Sequence, residues 1–259
     1  REEFIKKVWE WKEYSGSTII NQLKRLGSSC DWSRERFTMD EGLSSAVRKV
    51  FVTLYKEGLI YKDQALVNWD TKFKTAISDL EVVSKDVSTQ IYYIKYPSSD
   101  GGSITVATVR PETIFGDTAI AVNPTDQRYQ SFKDITFTIP LTSRTIPLVF
   151  DEYSDPEMGS GAVKITPAHD FNDFEVGKRH NLELLNILND DGSLNDKCPK
   201  DYVGMDRFDA RKKIVKALKD QGFIEKIEDY KTTIPYGDRS NTIVEPYLTN
   251  QWFCNAEEL

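Results

Sequence analysis

Gly159-Ser160-Gly161-Ala162-Val163-Lys164-Ile165-Thr166-Pro167-Ala168-His169-Asp170-Phe171-Asn172-Asp173-Phe174-Glu175-Val176-Gly177 changes its period halfway along. Two glycines that permit close backbone approach lead into a β-branched run, in which Lys164 and Thr166 share one face by the two-residue alternation of a strand. Pro167 stops that strand. Asp170 and Asp173, three apart, bracket the start of a helix predicted over 172–180, where both carboxylates fall on one face and point back toward Lys164. They serve equally well as caps that favour the positive helix N-terminus, and one of the two is expected to do so.

Outward from this unit, the upstream sequence is β-rich. Short runs at 91–94, 104–109, 120–122, 135–139, 146–150 and 162–165 alternate with turn residues at fairly regular spacing, the pattern of a barrel-like sheet. Before them, apolar residues from Phe4 to Leu26 follow a helical period that Gly27 ends, with Ser15-Gly16-Ser17 as a candidate bend. Thr38-Met39-Asp40-Glu41 has the Thr-x-x-Glu form of a capping box opening a second helix to Gly58. A fourth helix over 207–221 places Ala210, Ile214, Val215 and Leu218 inside and Lys212, Lys213, Lys216 and Lys219 outside, a lysine face read as solvated surface. An extended, proline-punctuated stretch closes the chain. The fold class is therefore mixed α+β: a helical segment over 1–80, a barrel-like core with peripheral helices over 81–232, and an extended return segment over 233–259.

Composition sets limits on function. The 259 residues hold 34 Lys and Arg against 41 Asp and Glu, a formal net charge of −7. That balance excludes the strong basic field of a nonspecific nucleic-acid binder, so any RNA contact is local. No stretch approaches the ~20 apolar residues of a membrane span, and no secretion signal is present, which points to a cytoplasmic chain with no membrane partner. Cys30, Cys198 and Cys254 stand singly, without the C-x-x-C spacing of a zinc site. The chain opens on Arg1 and breaks off without a stop signal, so it is expected to be a piece of something longer.

Two segments carry chemistry. In Thr105-Val106-Ala107-Thr108-Val109-Arg110-Pro111-Glu112-Thr113, Pro111 ends a strand and displays Thr108, Arg110 and Thr113 at its mouth. They suit a hydroxylated or anionic ligand; they suit equally a turn capped by Thr108 and Thr113 with Arg110 paired to Glu112. The second is the opening stretch with Met158 before it. A metal site would need His169, Asp170, Asp173 and His180, whose spacing matches no H-E-x-x-H helix, so neither metal nor cofactor is expected. Gly159-Ser160-Gly161 lacks the flanks of a G-x-S-x-G elbow. The remaining chemistry uses no side-chain nucleophile: carboxylates, Lys164, Arg110 and Thr113 hold an ammonium and a hydroxyl while a water attacks.

Val109-Arg110-Pro111-Glu112-Thr113, Gly116-Asp117-Thr118-Ala119, Lys164-Ile165-Thr166-Pro167-Ala168-His169-Asp170 and Arg179-His180-Asn181 together resemble the class I valyl-tRNA synthetases, as do Asp31-Trp32-Ser33-Arg34 and Glu245-Pro246-Tyr247-Leu248 near the two ends. The resemblance spans essentially the whole chain. It implies the connective insertion that carries the editing site, acting as a monomer on mischarged tRNA beside the catalytic body of a parent enzyme. Neither of that class's ATP-binding signatures is present, so ligase activity is not expected. The implied activity is hydrolysis of threonine wrongly esterified to the tRNA for valine, needed because an apolar pocket cannot strongly reject an added hydroxyl; the alternatives are a non-catalytic tRNA-docking or structural module of the synthetase and a related leucyl- or isoleucyl-type editing domain. By similarity Asp173 binds the ammonium, Asp170 and Lys164 read or orient the hydroxyl, and Arg110, Thr113, Thr166, Thr108 and Met158 line the pocket. Val109 stands where many relatives carry Thr and Met158 where many carry Phe; both bear on pocket shape and leave the polar set in place.

Overall fold

The computed structural model describes residues 1–259. One compact unit comprises residues 1–61 with 254–259, a second residues 62–253. In the first, α1 (Glu2–Arg25) runs unbroken through Ser15-Gly16-Ser17, so the expected bend does not occur. A lone interior glycine costs a helix only ~1 kcal/mol, and the flanking turns carry it. Gly27, at φ 81°, ends the helix. The start of α2 (Glu41–Lys56) corrects the capping-box reading. The cap is Asp40, whose carboxylate accepts from the Leu43 amide at 2.8 Å, not Thr38. Arg36 grips the same carboxylate at 2.7 and 2.8 Å, which fixes it in the capping position. Neither helix contains a buried residue.

The second unit is built on three sheets. The strands β1 (Ile60–Asp70) and β2 (Thr75–Ala76) are antiparallel, as are β3 (Val82–Pro97) and β4 (Ser103–Thr108). A four-stranded sheet collects β5 (Ala119–Val122), β6 (Thr136–Thr138), β7 (Thr145–Phe150) and β8 (Ala162–Ile165) in the order β6-β7-β5-β8. After α3 (Phe171–Arg179) and α4 (Arg207–Asp220) come β9 (Ile224–Gly237), on the free edge of β3, and β10 (Glu245–Cys254), beside β1. Each strand run read from the sequence is present. The sheets, however, stay open, so the barrel-like closure is not formed. β3 pairs with β9 from Val82↔Gly237 to Ile94↔Ile224 and with β4 only over Tyr92–Pro97, and just past its end Ser98 and Ser99 pair with Phe137 and Thr136 of β6, a link too short to close the sheets into a barrel. The stretch after Tyr230, read as an extended tail, is thereby ordered as paired strand.

One core joins these layers. Ile94, Tyr96 and Val106 from the β3 sheet meet Ile120 and Phe137 from the four-stranded sheet, with Ala210, Ile214 and Leu218 of α4 against them. Lys212, Lys213, Lys216 and Lys219 face solvent, as the helical period requires. No helix is long and apolar enough to cross a membrane.

The antiparallel pairing of β5 and β8 sets Ile120 opposite Lys164 and Ala119 opposite Ile165. It brings the turn before β5 alongside the end of β8, where the Thr118 amide donates to the Ile165 carbonyl at 2.9 Å. Helix α3 then folds back on the strand end so closely that a Cβ at Gly177 would lie 2.9 Å from both Cβ and Cγ of Pro167. Gly177→Ala would gain helix propensity, yet the rigid proline ring cannot yield. The variant is expected to lose ~1 to 3 kcal/mol of stability in urea unfolding, whereas the same change at Gly16, which has open space around it, should be neutral or stabilising.

Candidate functional site

At the end of β4 the chain makes the capped turn that its sequence offered. Thr108 Oγ1 accepts from the Arg110 amide at 3.0 Å, and Thr113 Oγ1 donates to the Arg110 carbonyl at 3.0 Å. Arg110 Nε meets Glu112 at 3.3 Å. The same three residues face a cavity of about 800 Å³, which Met158, Lys164, Thr166, Asp170 and Asp173 also line. Every site residue named from the sequence is thus gathered around one space.

The floor of this cavity is a buried ion pair. Lys164 Nζ donates to Thr113 Oγ1 at 2.8 Å, to Asp117 Oδ1 at 3.0 Å and to Thr166 Oγ1 at 2.5 Å. An ammonium has three protons, so all of them are engaged within the protein. Thr166 gives its own proton to Asp117 Oδ1 at 2.6 Å, as Thr113 gives its to the Arg110 carbonyl. Each hydroxyl therefore retains one lone pair and no proton for a ligand. Asp117 is fully buried, and its other oxygen accepts from the Tyr96 hydroxyl at 2.6 Å. Burial pushes its carboxyl above the usual range against the pull of Lys164, Thr166 and Tyr96.

The two aspartates at the head of α3 divide the tasks that their spacing left open. Asp170 is the cap, accepting from the amides of Asn172 at 2.8 Å and Asp173 at 3.1 Å through Oδ1. Asp173, 5% exposed, accepts from the Thr166 amide at 2.8 Å. Burial, with the negative charge of Asp170 second, holds its carboxyl up to about 7, while Lys164 and the Thr166 amide pull the other way. At its far end α3 is anchored by Asp151, which accepts from Arg179 at 2.8 and 3.0 Å and contacts His180 Nε2 at 2.8 Å.

Spacing alone did not reveal several neighbours. Asp117 and Tyr96 reach the floor across the β5–β8 and β3 packing; the Gly116-Asp117 turn lay within the motif set, but nothing in its spacing pointed inward. Tyr153 lines the cavity beside Asp170 and Asp173, and burial raises its hydroxyl above the ordinary value. His169 is buried, and its Nε2 accepts from the Ile187 amide at 3.0 Å. That bond places the ring proton on Nδ1, and burial, followed by the charges of Arg110 and Lys164, keeps the ring neutral. No group of three or more His, Cys, Asp or Glu side chains is placed to hold a metal ion.

A recess of this kind accepts hydrogen bonds and shelters a carboxylate. Its free valences are lone pairs, which match hydrogen-bond donors on a ligand.

The chain belongs to the class I tRNA synthetases (I, L, M and V), whose family model matches residues 1–259. Within that class its curated relatives are valine–tRNA ligases. It is 60% identical over 260 residues to that of Pelagibacter ubique and 56% identical over 267 residues to that of Rhizorhabdus wittichii, each match covering 100% of this chain and 30% of the relative. That of Synechocystis sp. is 56% identical over 260 residues, covering 100% of this chain and 28% of the relative. The chain thus spans about 30% of the length of these relatives. Among solved structures, the ternary complex of Agrobacterium radiobacter K84 LeuRS with tRNA and LeuAMS aligns with a TM-score of 0.43 and 17% identity, over 86% of this chain and 36% of that one.

The raised carboxyl of Asp173 has a thermodynamic signature. Its folded value of about 7 lies above the ordinary 3.8, so between these the native state binds more protons and stability falls as pH rises. Asp173→Asn removes that loss. The stability of the Asn variant relative to wild type should increase by up to ~4 kcal/mol between pH 4 and pH 8, from ~1.4 kcal/mol for each pKa unit. Urea unfolding at the two pH values measures it, and a difference independent of pH would show that Asp173 titrates normally.

Proposed function

We propose that this chain is an aminoacyl-tRNA hydrolase that clears threonine esterified in error to the tRNA for valine. The observation that carries the reading is the acceptor-only floor: Lys164 has no free proton, and Thr113 and Thr166 offer lone pairs beside the sheltered carboxylate of Asp173. A threonyl ester supplies two donors, its ammonium and its hydroxyl. Valine has the ammonium but only a methyl where the hydroxyl would be, and it would leave a buried acceptor without a partner, at a cost of ~1 to 3 kcal/mol.

Asp173 takes the ammonium, and Asp170 and the threonine hydroxyls backed by Lys164 take the substrate hydroxyl. Arg110 and Thr108 border the ester and terminal ribose, with Met158 at the exposed rim. Water adds its oxygen to the ester carbonyl carbon, the bond to the ribose oxygen breaks, and that oxygen is released as a hydroxyl, giving free threonine and intact tRNA. No metal or cofactor takes part. The acceleration comes from positioning and from the fixed charges around the carbonyl. The partners in this reading are the acceptor end of the tRNA and the remainder of the longer synthetase. Residues 81–232 form the hydrolytic core, and the segments on either side connect it to that remainder.

Hydrolysis of threonyl- and valyl-tRNA by the 259-residue chain tests the reading. Threonyl-tRNA should be cleared at least ~10-fold faster than valyl-tRNA, the ratio for a lost hydrogen bond of about 1.4 kcal/mol or more. Equal rates would remove the basis for hydroxyl recognition. Asp173→Ala should cost ~2 to 5 kcal/mol of transition-state stabilisation, within the range for breaking a buried, hydrogen-bonded charge pair. Clearance should also survive exhaustive chelation with EDTA; loss with recovery on adding zinc would point to a metal mechanism instead.

A further inference from the structure

Arg110 lies within reach of three carboxylates, and two of them hold it. Glu112 meets its Nε at 3.3 Å, and Glu245, at the start of β10, accepts from its Nη2. The third is Asp170, the cap of α3, which lines the same cavity as Arg110 and whose charge also acts on the guanidinium. Meanwhile Arg110 Nη1 donates to the carbonyl of His169 at 2.9 Å.

We propose that Glu245 is a positioning residue of the hydrolytic site: by binding Arg110 it keeps the guanidinium on the His169 carbonyl and off Asp170, so that the segment 166–173 holds both aspartates in place. The inference rests on the hydrolase reading of this cavity. Glu245 is well fitted to the task, because its side chain is 4% exposed and one of its oxygens is held by Arg110. It therefore has no alternative partner in solvent. The His169 carbonyl is the hinge of the arrangement: the His169 amide closes a turn onto the Thr166 carbonyl at 2.9 Å, and its ring receives the Ile187 amide. Without the Glu245 charge, Arg110 keeps its own, and Asp170, the residue after the carbonyl that Arg110 already holds, is the cavity carboxylate left to draw it. A guanidinium drawn there competes with the Asn172 and Asp173 amides for the cap and pulls the His169 carbonyl with it. Glu245 touches no substrate in this scheme and acts through Arg110.

Arg207 supplies the control, since it binds the same carboxylate and does not line the cavity. Wild type, Glu245→Gln, Glu245→Asp and Arg207→Met are compared in single-turnover deacylation of threonyl-tRNA, with thermal unfolding of each. Glu245→Gln should lower the maximal rate ~10- to 100-fold, the cost of misplacing groups by about an ångström, with little change in the half-saturating concentration. Glu245→Asp, which keeps the charge, should recover part of that loss. Arg207→Met should lower the unfolding temperature at least as much while keeping its rate within about threefold of wild type. A second measurement needs no substrate: hydrogen exchange of the Asn172 and Asp173 amides, which Asp170 caps, should be faster in Glu245→Gln than in wild type, because Arg110 competes for that carboxylate. A wild-type rate in Glu245→Gln, an equal slowing in Arg207→Met, or unchanged exchange of the two amides overturns the proposal. Should wild type itself fail to clear threonyl-tRNA, the hydrolase reading falls, and the exchange of these amides alone decides whether Glu245 steers Arg110.

Discussion

Lys164 and Asp117 form an ion pair in a place where neither charge could stand alone. Taking an ammonium and a carboxylate out of water costs several kcal/mol each, and only close contact with further hydrogen bonds offsets it. The structure provides both. Tyr96 from β3, Thr113 from the turn after β4 and Thr166 from the end of β8 all complete the pair. Arg144 adds bonds of 2.6 Å to the carbonyls of Phe115 and Asp117, tying down the turn that carries the aspartate. Elements from two sheets are thus referred to one point. The cavity inherits its shape and its polarity from that point, because satisfying Lys164 is what fixes which way the neighbouring hydroxyls face.

The residues that hold this part of the fold are the ones that face the cavity, with no separate set for each purpose. Thr108 and Thr113 cap a turn, Asp170 caps a helix, Arg110 ties a loop to a strand, and all four border the same space. Asp173 departs from this economy. It gains one backbone bond but is held as a reluctant anion by burial and by Asp170, a state that structure alone does not require. Groups under such strain concentrate where function needs them.

How much of this was legible in the sequence follows from the range of each interaction. The strands, α3 and α4 show in their periods, since a run such as Ala162–Ile165 or the Ala210, Ile214, Leu218 stripe encodes its own local geometry. Asp170 and Asp173 were visible as a pair because the helix start that organises them is adjacent in sequence. Asp117 was not, since its tie to Lys164 crosses 47 residues and exists only through the register of β5 on β8. Barrel closure fails for a similar reason: strand spacing does not reveal that β3 meets the four-stranded sheet only just past its end, through Ser98 and Phe137. At α2 the capping-box pattern pointed to Thr38, and the contact of Arg36 with Asp40, which seats the carboxylate on the helix start, does not show in that pattern.

The bond between Arg110 and Glu245 spans 135 residues, a distance that also has a meaning in time. A ribosome adding ~5 to 20 residues each second needs about 7 to 27 s to reach the second partner after making the first. During that interval β3 lacks β9, since Val82 pairs with Gly237, and its edge waits unpaired. The nascent chain thus holds Arg110 and Glu112 well before Glu245 exists, so the carboxylate that anchors Arg110 on the far side of the fold reaches it only after β9 and β10 are made.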